Sequence, residues 1–247
     1  MKAWGIIRAL GPIDLKSVGR DPLLKWMIFI PLIAASAMRW LLPAILERIE
    51  AYFQISLQMY YAPFAGYMLL MLVPMLTGMI TGFLLLDQRD DGTLAALLVS
   101  PLSLPGYLLY RLGLPMAVSV SMTLVVFPLA GFESIGHLPL LLVAVVAALE
   151  GPIFTLLLGT FAQNKVQGFA LAKISGVILL PPLFAWFSPM PWQLVFGLAP
   201  TYWPAKCYWV FQSGGTAAWG YVLAGLAWHL LLIGGLLRRY ERTVRSG

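Results

Sequence analysis

The chain has 247 residues, 60% of them hydrophobic and only 11% charged, with a mean hydropathy of +0.85 and a formal net charge of +6. Soluble domains are about 45–50% apolar and about 25% charged, so this composition excludes an ordinary soluble protein and points to a polytopic membrane protein. The single cysteine, Cys207, excludes an intrachain disulfide and any metal site built from several thiolates.

Residues 1–22 place Trp4, Ile6, Ile7 and Leu10 beside Lys2, Arg8, Lys16 and Arg20. This mixture predicts a helix lying in the membrane interface, broken at Gly11-Pro12. No compact apolar core with a small-residue cleavage site follows, so a signal peptide is not expected. Six apolar runs come next, at about 24–46, 62–86, 105–131, 138–162, 168–188 and 217–237, each near the ~20 residues that a helical span requires. They leave little room for a soluble domain, and residues 1–247 read as one all-α transmembrane domain.

The basic residues set an orientation. With the N-terminus cytoplasmic, Lys2, Arg8, Lys16, Arg20, Lys25, Arg89, Arg111, Lys165, Lys173, Arg238, Arg239, Arg242 and Arg245 fall on or near the cytoplasmic side. Only Arg39, Arg48 and Lys206 fall on the other, which satisfies the positive-inside rule and returns the C-terminus to the cytoplasm. Because the positive charges are scattered over separate loops, they do not read as a nucleic-acid patch. Arg39, near the outer end of the first span, is expected to snorkel to the interface or to pair with Glu47.

In the second span Met68, Met71, Met75 and Met79 recur at helical spacing. Plain packing explains such a stripe. An adaptable surface for varied ligands is the functional alternative, with Met71 and Met75 as candidate pathway residues. Pro74, Gly78 and Gly82 are expected to loosen or bend this span.

A polar island follows, Asp87-Gln88-Arg89-Asp90-Asp91-Gly92-Thr93-Leu94. Four charges in five residues place it outside the hydrocarbon. Asp91 and Thr93 suit a helix N-terminus, Leu94, Leu97 and Leu98 make one apolar face, and Pro101 ends the helix. Such a helix must press on the lipid interface or on a cytoplasmic partner.

Glu150 stands within the fourth span, before Gly151-Pro152. An intramembrane carboxylate invites a functional reading. It lines a transport path, meets a cation across a dimer, or is protonated and hydrogen-bonded within the bundle. His137 and His229 lie far apart in sequence and do not suggest a metal site. No GxSxG elbow and no GxxxxGK[ST] phosphate loop occurs, so neither a serine hydrolase centre nor nucleotide binding is expected in this chain. Residues 189–216 combine Trp192, Tyr202, Trp203, Tyr208, Trp209 and Phe211 with Pro189, Pro191, Pro200 and Pro204. They read either as short outer re-entrant helices before the sixth span or as a plain aromatic belt.

The island and its neighbours resemble the ABC-2 type permeases. In that family a charged cluster leaves the second span and runs into Gly-Thr-Leu, a leucine-rich turn and Ser/Thr-Pro-Leu. Here these are Gly92-Thr93-Leu94, Leu97-Leu98-Val99 and Ser100-Pro101-Leu102. Leu85-Leu86-Asp87, Tyr107-Leu108-Leu109-Tyr110-Arg111, residues 164–170 and Pro200-Thr201-Tyr202-Trp203-Pro204 look like the drug-export branch labelled fluoroquinolone exporter permeases. About 17 residues carry the resemblance by motif, and the layout carries it over the whole chain.

The resemblance implies that residues 87–103 form a cytoplasmic coupling helix docking on an ATP-binding subunit. Leu94, Leu97 and Leu98 would anchor it, with Arg89, Asp90, Asp91, Gly92 and Thr93 setting its register. Many relatives place an acidic residue after Gly-Thr-Leu. This chain has Ala95, so an ion pair from that position is not expected. The expected protein is a non-enzymatic permease subunit of a bacterial inner-membrane exporter, paired with a second or homologous permease. ATP and Mg would be bound by the partner, and the cargo would be an amphipathic small molecule. The rivals are a stand-alone intramembrane enzyme and a proton-coupled carrier, both using Glu150.

Overall fold

The computed structural model describes residues 3–92, 104–132 and 135–246. The described residues are almost entirely helical. An N-terminal helix α1 (Ala3–Arg20) is followed by α2 (Pro22–Ser36), a π-turn (Ala37–Leu41) and α3 (Leu42–Phe53), which together make the first span. The second span is α4 (Gln58–Asp90) and the third α5 (Leu104–Leu129). The fourth is α6 (His137–Ala148) and α7 (Glu150–Phe161), meeting at Leu149. The fifth is α8 (Lys165–Ser175), a 3-10 turn and α9 (Leu180–Phe187). A 3-10 segment (Trp192–Leu198) and α10 (Tyr202–Gln212) precede the sixth, α11 (Ala218–Ser246). Among the described residues six helices are thus long and apolar enough to cross a membrane, which makes this a multi-pass membrane protein.

The N-terminal helix differs from the sequence expectation. It runs unbroken through Gly11 and Pro12. Proline removes one hydrogen bond but does not end a helix whose neighbours hold it. Here Ile6 and Leu10 are buried against Tyr107, Leu108 and Tyr110 of α5.

The fourth span and α4 form the buried centre, and the other spans surround them. At 1.5 Å per residue α4 is about 50 Å long, against about 30 Å of hydrocarbon, so it is longer than a span requires. Asp87–Asp90 is therefore helical although it carries charge. The glycines of α4 allow close approach to α7. A Cβ on Gly78 would stand 2.3 Å from the Gly151 carbonyl oxygen, and one on Gly82 2.7 Å from Leu158 Cδ1. Thr155 Oγ1 donates to the Gly78 oxygen at 3.0 Å across the same crossing. This is the small-xxx-small contact that lets membrane helices touch backbone to backbone.

The segment after α9 packs into the bundle. Tyr208 Oη donates to the Ala62 oxygen and Trp209 Nε1 to the Pro63 oxygen, tying α10 to the start of α4. Tyr202 and Tyr208 are fully buried, so this face is core rather than a plain aromatic belt. Arg39 donates from Nη1 to the Pro128 and Leu129 oxygens at 3.3 and 3.4 Å, satisfying carbonyls at the end of α5.

Candidate functional site

Thr93, Leu94, Leu97 and Leu98 lie outside the described residues. The geometry of the site is therefore that of the two helix ends flanking residues 93–103. The α4 end is closed by Asp91 N–H donating to the Asp87 oxygen and Gly92 N–H to the Arg89 oxygen. Gly92 has φ +68°, the left-handed conformation in which glycine ends a helix without strain. Asp90, Asp91 and Gly92 are exposed there.

Arg89 does not project outward with them. Its Nη1 donates to the Ala162 oxygen and its Nη2 to the Gly159 oxygen, both at 2.9 Å. It thus caps the C-terminal carbonyls of α7, where a cation also meets the negative end of the helix dipole. Next to it Lys165 Nζ reaches Asp87 at 2.9 Å and Asp21 at 2.8 Å. Asp21 Oδ1 in turn accepts from Leu23 and Leu24 N–H and caps α2. The Lys165 ammonium and these amides hold the Asp21 carboxyl below its ordinary range. Lys165 N–H also donates to Asp90 Oδ2 at 3.3 Å. One lysine thereby joins the α1–α2 corner, the α4 end and the α8 start. Asn164 Oδ1 accepts from Gln167 N–H, and Gln167 Oε1 from Gln163 N–H, which fixes the backbone around that lysine.

The α5 end is held by a second network. Arg111 is fully buried and meets Asp14 of α1 through two bonds, Nη1 to Oδ2 at 2.8 Å and Nη2 to Oδ1 at 3.0 Å. Tyr110 Oη donates to Asp14 Oδ2 at 2.7 Å, and Arg111 Nε to Tyr107 Oη at 3.3 Å. Tyr107 Oη donates to Gln88 Oε1 at 2.6 Å, which ties α5 back to the α4 end. The guanidinium also stacks near both tyrosine rings, at 5.4 and 5.5 Å. A buried arginine holds its charge when its donors are filled by a bidentate carboxylate. The two helices entering and leaving residues 93–103 are therefore fixed to each other, to α1 and to the fourth span.

In the membrane interior, Glu150 is 1% exposed and faces His229 of α11, with Oε1 to Nε2 at 3.4 Å. His229 Nδ1 lies 2.7 Å from the Gly225 carbonyl oxygen. That oxygen only accepts, so Nδ1 carries a proton. Nε2 then either accepts from a protonated carboxyl or, protonated itself, donates to a carboxylate. The other two states, a neutral imidazole facing a bare carboxylate and an imidazolium facing a protonated carboxyl, would each bury an uncompensated charge. The pair is net neutral in both allowed states. Glu150 Oε2 has no hydrogen-bond partner among the described residues. The spacing of 79 residues hides this pair in the sequence.

Of the candidate pathway methionines, Met71 is buried in the core with Tyr67, Phe127 and Tyr208, and Met75 packs half-buried beside Leu76 and Met79. Among the described residues no group of three or more His, Cys, Asp or Glu side chains could hold a metal ion. The site residues that sequence reading took only as topology signals are Arg111 and Lys165, while His229 was weighed as a metal ligand and set aside. A lone basic residue at a span boundary reads as topology, and only the fold reveals its partner.

A family model described as Rv2686c-like, fluoroquinolones export permease protein, matches residues 14–237. Two curated proteins from two strains of Mycobacterium tuberculosis, each named a fluoroquinolones export permease protein, are 31% identical over 237 residues, covering 95% of this chain and 94% of each relative. No solved structure matches the chain.

Proposed function

Because the chain belongs to the family of Rv2686c-like fluoroquinolones export permeases, we propose that it is the membrane-spanning subunit of an ABC exporter for fluoroquinolone-like amphipathic drugs. The relatives' names supply the cargo class. ATP and Mg are bound by a separate ATP-binding subunit that docks on residues 87–103, with Leu94, Leu97 and Leu98 as apolar anchors. A second permease copy completes the pathway. The protein sits in the bacterial inner membrane with both termini in the cytoplasm, as the basic residues favour.

One observation supports the coupling role most strongly. The Arg89–α7 cap, the Lys165 bridge and the Arg111–Asp14 pair converge on the two ends of residues 93–103. A push on that segment is delivered to α1, α4, α5 and the fourth span together rather than absorbed by a loose loop. The test is transport of a fluoroquinolone into inverted membrane vesicles carrying the permease and its co-expressed ATP-binding subunit. ATP-driven uptake, lost with Leu97→Asp, supports the reading. Uptake driven by a proton gradient and indifferent to ATP removes it.

The buried Glu150–His229 pair favours a second reading, a proton-coupled carrier. It predicts loss of transport in Glu150→Gln and indifference to ATP, whereas the ATP-driven reading requires ATP whether or not Glu150 lines the pathway.

A further inference from the structure

A cavity of about 280 Å³ lies where α1 passes over spans one, two and three. Its floor is formed by successive turns of α4, from Leu76 to Leu84, of which Leu76, Thr77, Thr81 and Leu84 are buried and Ile80 half-buried. The polar side chains on its wall are Asp14, Thr77, Thr81 and Tyr110, and each is already satisfied within the protein. Both Asp14 oxygens accept from Arg111, and Tyr110 donates to Asp14. Thr77 Oγ1 donates to the Pro74 oxygen and Thr81 Oγ1 to the Thr77 oxygen. The cavity therefore presents hydrocarbon and no free hydrogen-bond donor among the side chains on its wall.

That chemistry selects the occupant. A water needs two or more polar partners, and an apolar cavity of about 150 Å³ already stays dry and holds benzene. A drug with polar groups would bury them unpaired, at roughly 2–7 kcal/mol each. A hydrocarbon chain meets neither cost. The exposed residues on the rim, Ile7, Leu15, Ile28 and Val118, are apolar, so the mouth opens toward acyl chains. Lys16 and Arg20 of α1 and Lys25 of α2 are exposed and offer positive charge complementary to an anionic headgroup. Gly11 keeps the space open. Its missing Cβ would be 4.0 Å from Tyr110 Oη and would meet nothing closer.

We infer that this cavity binds one acyl chain of an anionic phospholipid from the leaflet on the α1 side. The chain lies beneath α1, against the wall where Asp14 holds Arg111, so its occupancy sets how firmly α1 sits on the third span. This goes beyond the transport reading and depends neither on the cargo nor on the ATP-binding partner.

The test uses the full-length permease in nanodiscs of phosphatidylglycerol and phosphatidylethanolamine, doped with phosphatidylglycerol carrying a diazirine within its acyl chain. Photolabelled peptides are mapped by mass spectrometry. Adducts are expected on the peptides holding Leu76–Leu84 and Tyr110–Met122. They should fall severalfold in Gly11→Leu, which fills the space, and persist in Gly19→Leu, where an added Cβ meets nothing within 4 Å and the residue does not line the cavity. The wild-type map is informative even if a variant folds poorly. Adducts confined to outward residues such as Trp26 and Phe29 would mean annular lipid only and would overturn the inference. Labelling unchanged in a well-folded Gly11→Leu, or displaced by excess fluoroquinolone and not by unlabelled phosphatidylglycerol, would overturn it too.

Discussion

Asp14 of the N-terminal helix and Arg111 of the third span form a buried bidentate ion pair, 97 residues apart in sequence, with the guanidinium fully enclosed. It pins the N-terminal helix to a membrane-spanning one. Breaking it from one side leaves the other charge buried and alone, at a cost of about 3–5 kcal/mol. Asp14→Asn should therefore lower the thermal midpoint of the purified protein sharply. Arg111→Lys should be nearly as harmful, because an ammonium cannot replace the planar fork. The double variant Asp14→Leu with Arg111→Met should recover much of the loss. A double variant no more stable than either single one would show that the pair is not the source of the effect.

The α4–α7 crossing gives a second test. A methyl group on Gly78 has no space before the Gly151 backbone, so Gly78→Ala should destabilise by about 1–3 kcal/mol through overpacking. Gly113 is also within a helix, but its added Cβ meets nothing within 4 Å. Gly113→Ala should be neutral or stabilising by up to about 1 kcal/mol, as helix propensity favours alanine. Thermal unfolding in one detergent compares the two, and equal effects would contradict the crossing geometry.

The fold was legible in the sequence where length and polarity decide. Six apolar runs could be counted because each needs about twenty residues. The Pro12 break was misread because proline's helix-breaking tendency is local, whereas the burial of Ile6 and Leu10 that overrides it is tertiary. Arg89 shows the same limit. Its neighbours Asp90 and Asp91 are exposed as a charged loop end would be, yet its own guanidinium meets Gly159, 70 residues further along the chain, and caps α7. The Glu150–His229 contact needed the packing of α7 on α11, which no periodicity encodes.

Net neutrality of that pair makes a third prediction. Glu150→Gln keeps the site neutral and supplies an amide donor to His229 Nε2, so stability should change little. His229→Leu removes the partner of Oε1 beside an already unpartnered Oε2 and should cost about 1–3 kcal/mol for the stranded polar group. Thermal midpoints of the two variants check this. A larger loss in Glu150→Gln would mean that the pair is held by charge instead.

Asp21 carries a pH dependence whose sign is fixed. Its folded pKa is depressed, first by the hydrogen bond from Lys165, so the contact's stabilisation is present above the ordinary value of 3.8 and is lost as pH falls through the lower folded value. Between pH 5 and pH 8 this contact should contribute a constant amount, since both values lie below that window. Asp21→Asn keeps the cap on α2 and loses only the ion pair, which is partly exposed and worth about 0.2–1 kcal/mol. The gap between wild type and Asp21→Asn should stay flat across that range and close below about pH 4. A gap that closes near neutrality would assign the effect to another group.

The central claim, that residues 93–103 couple this permease to an ATP-binding subunit, is tested most directly by isolating the tagged protein from its native host in mild detergent and assaying ATPase activity. The account predicts that an ATP-binding subunit co-purifies and that Leu97→Asp with Leu98→Asp releases it while the permease remains in the membrane. A permease recovered without ATPase, under conditions that keep other membrane complexes intact, would contradict it and leave transport to the Glu150–His229 pair.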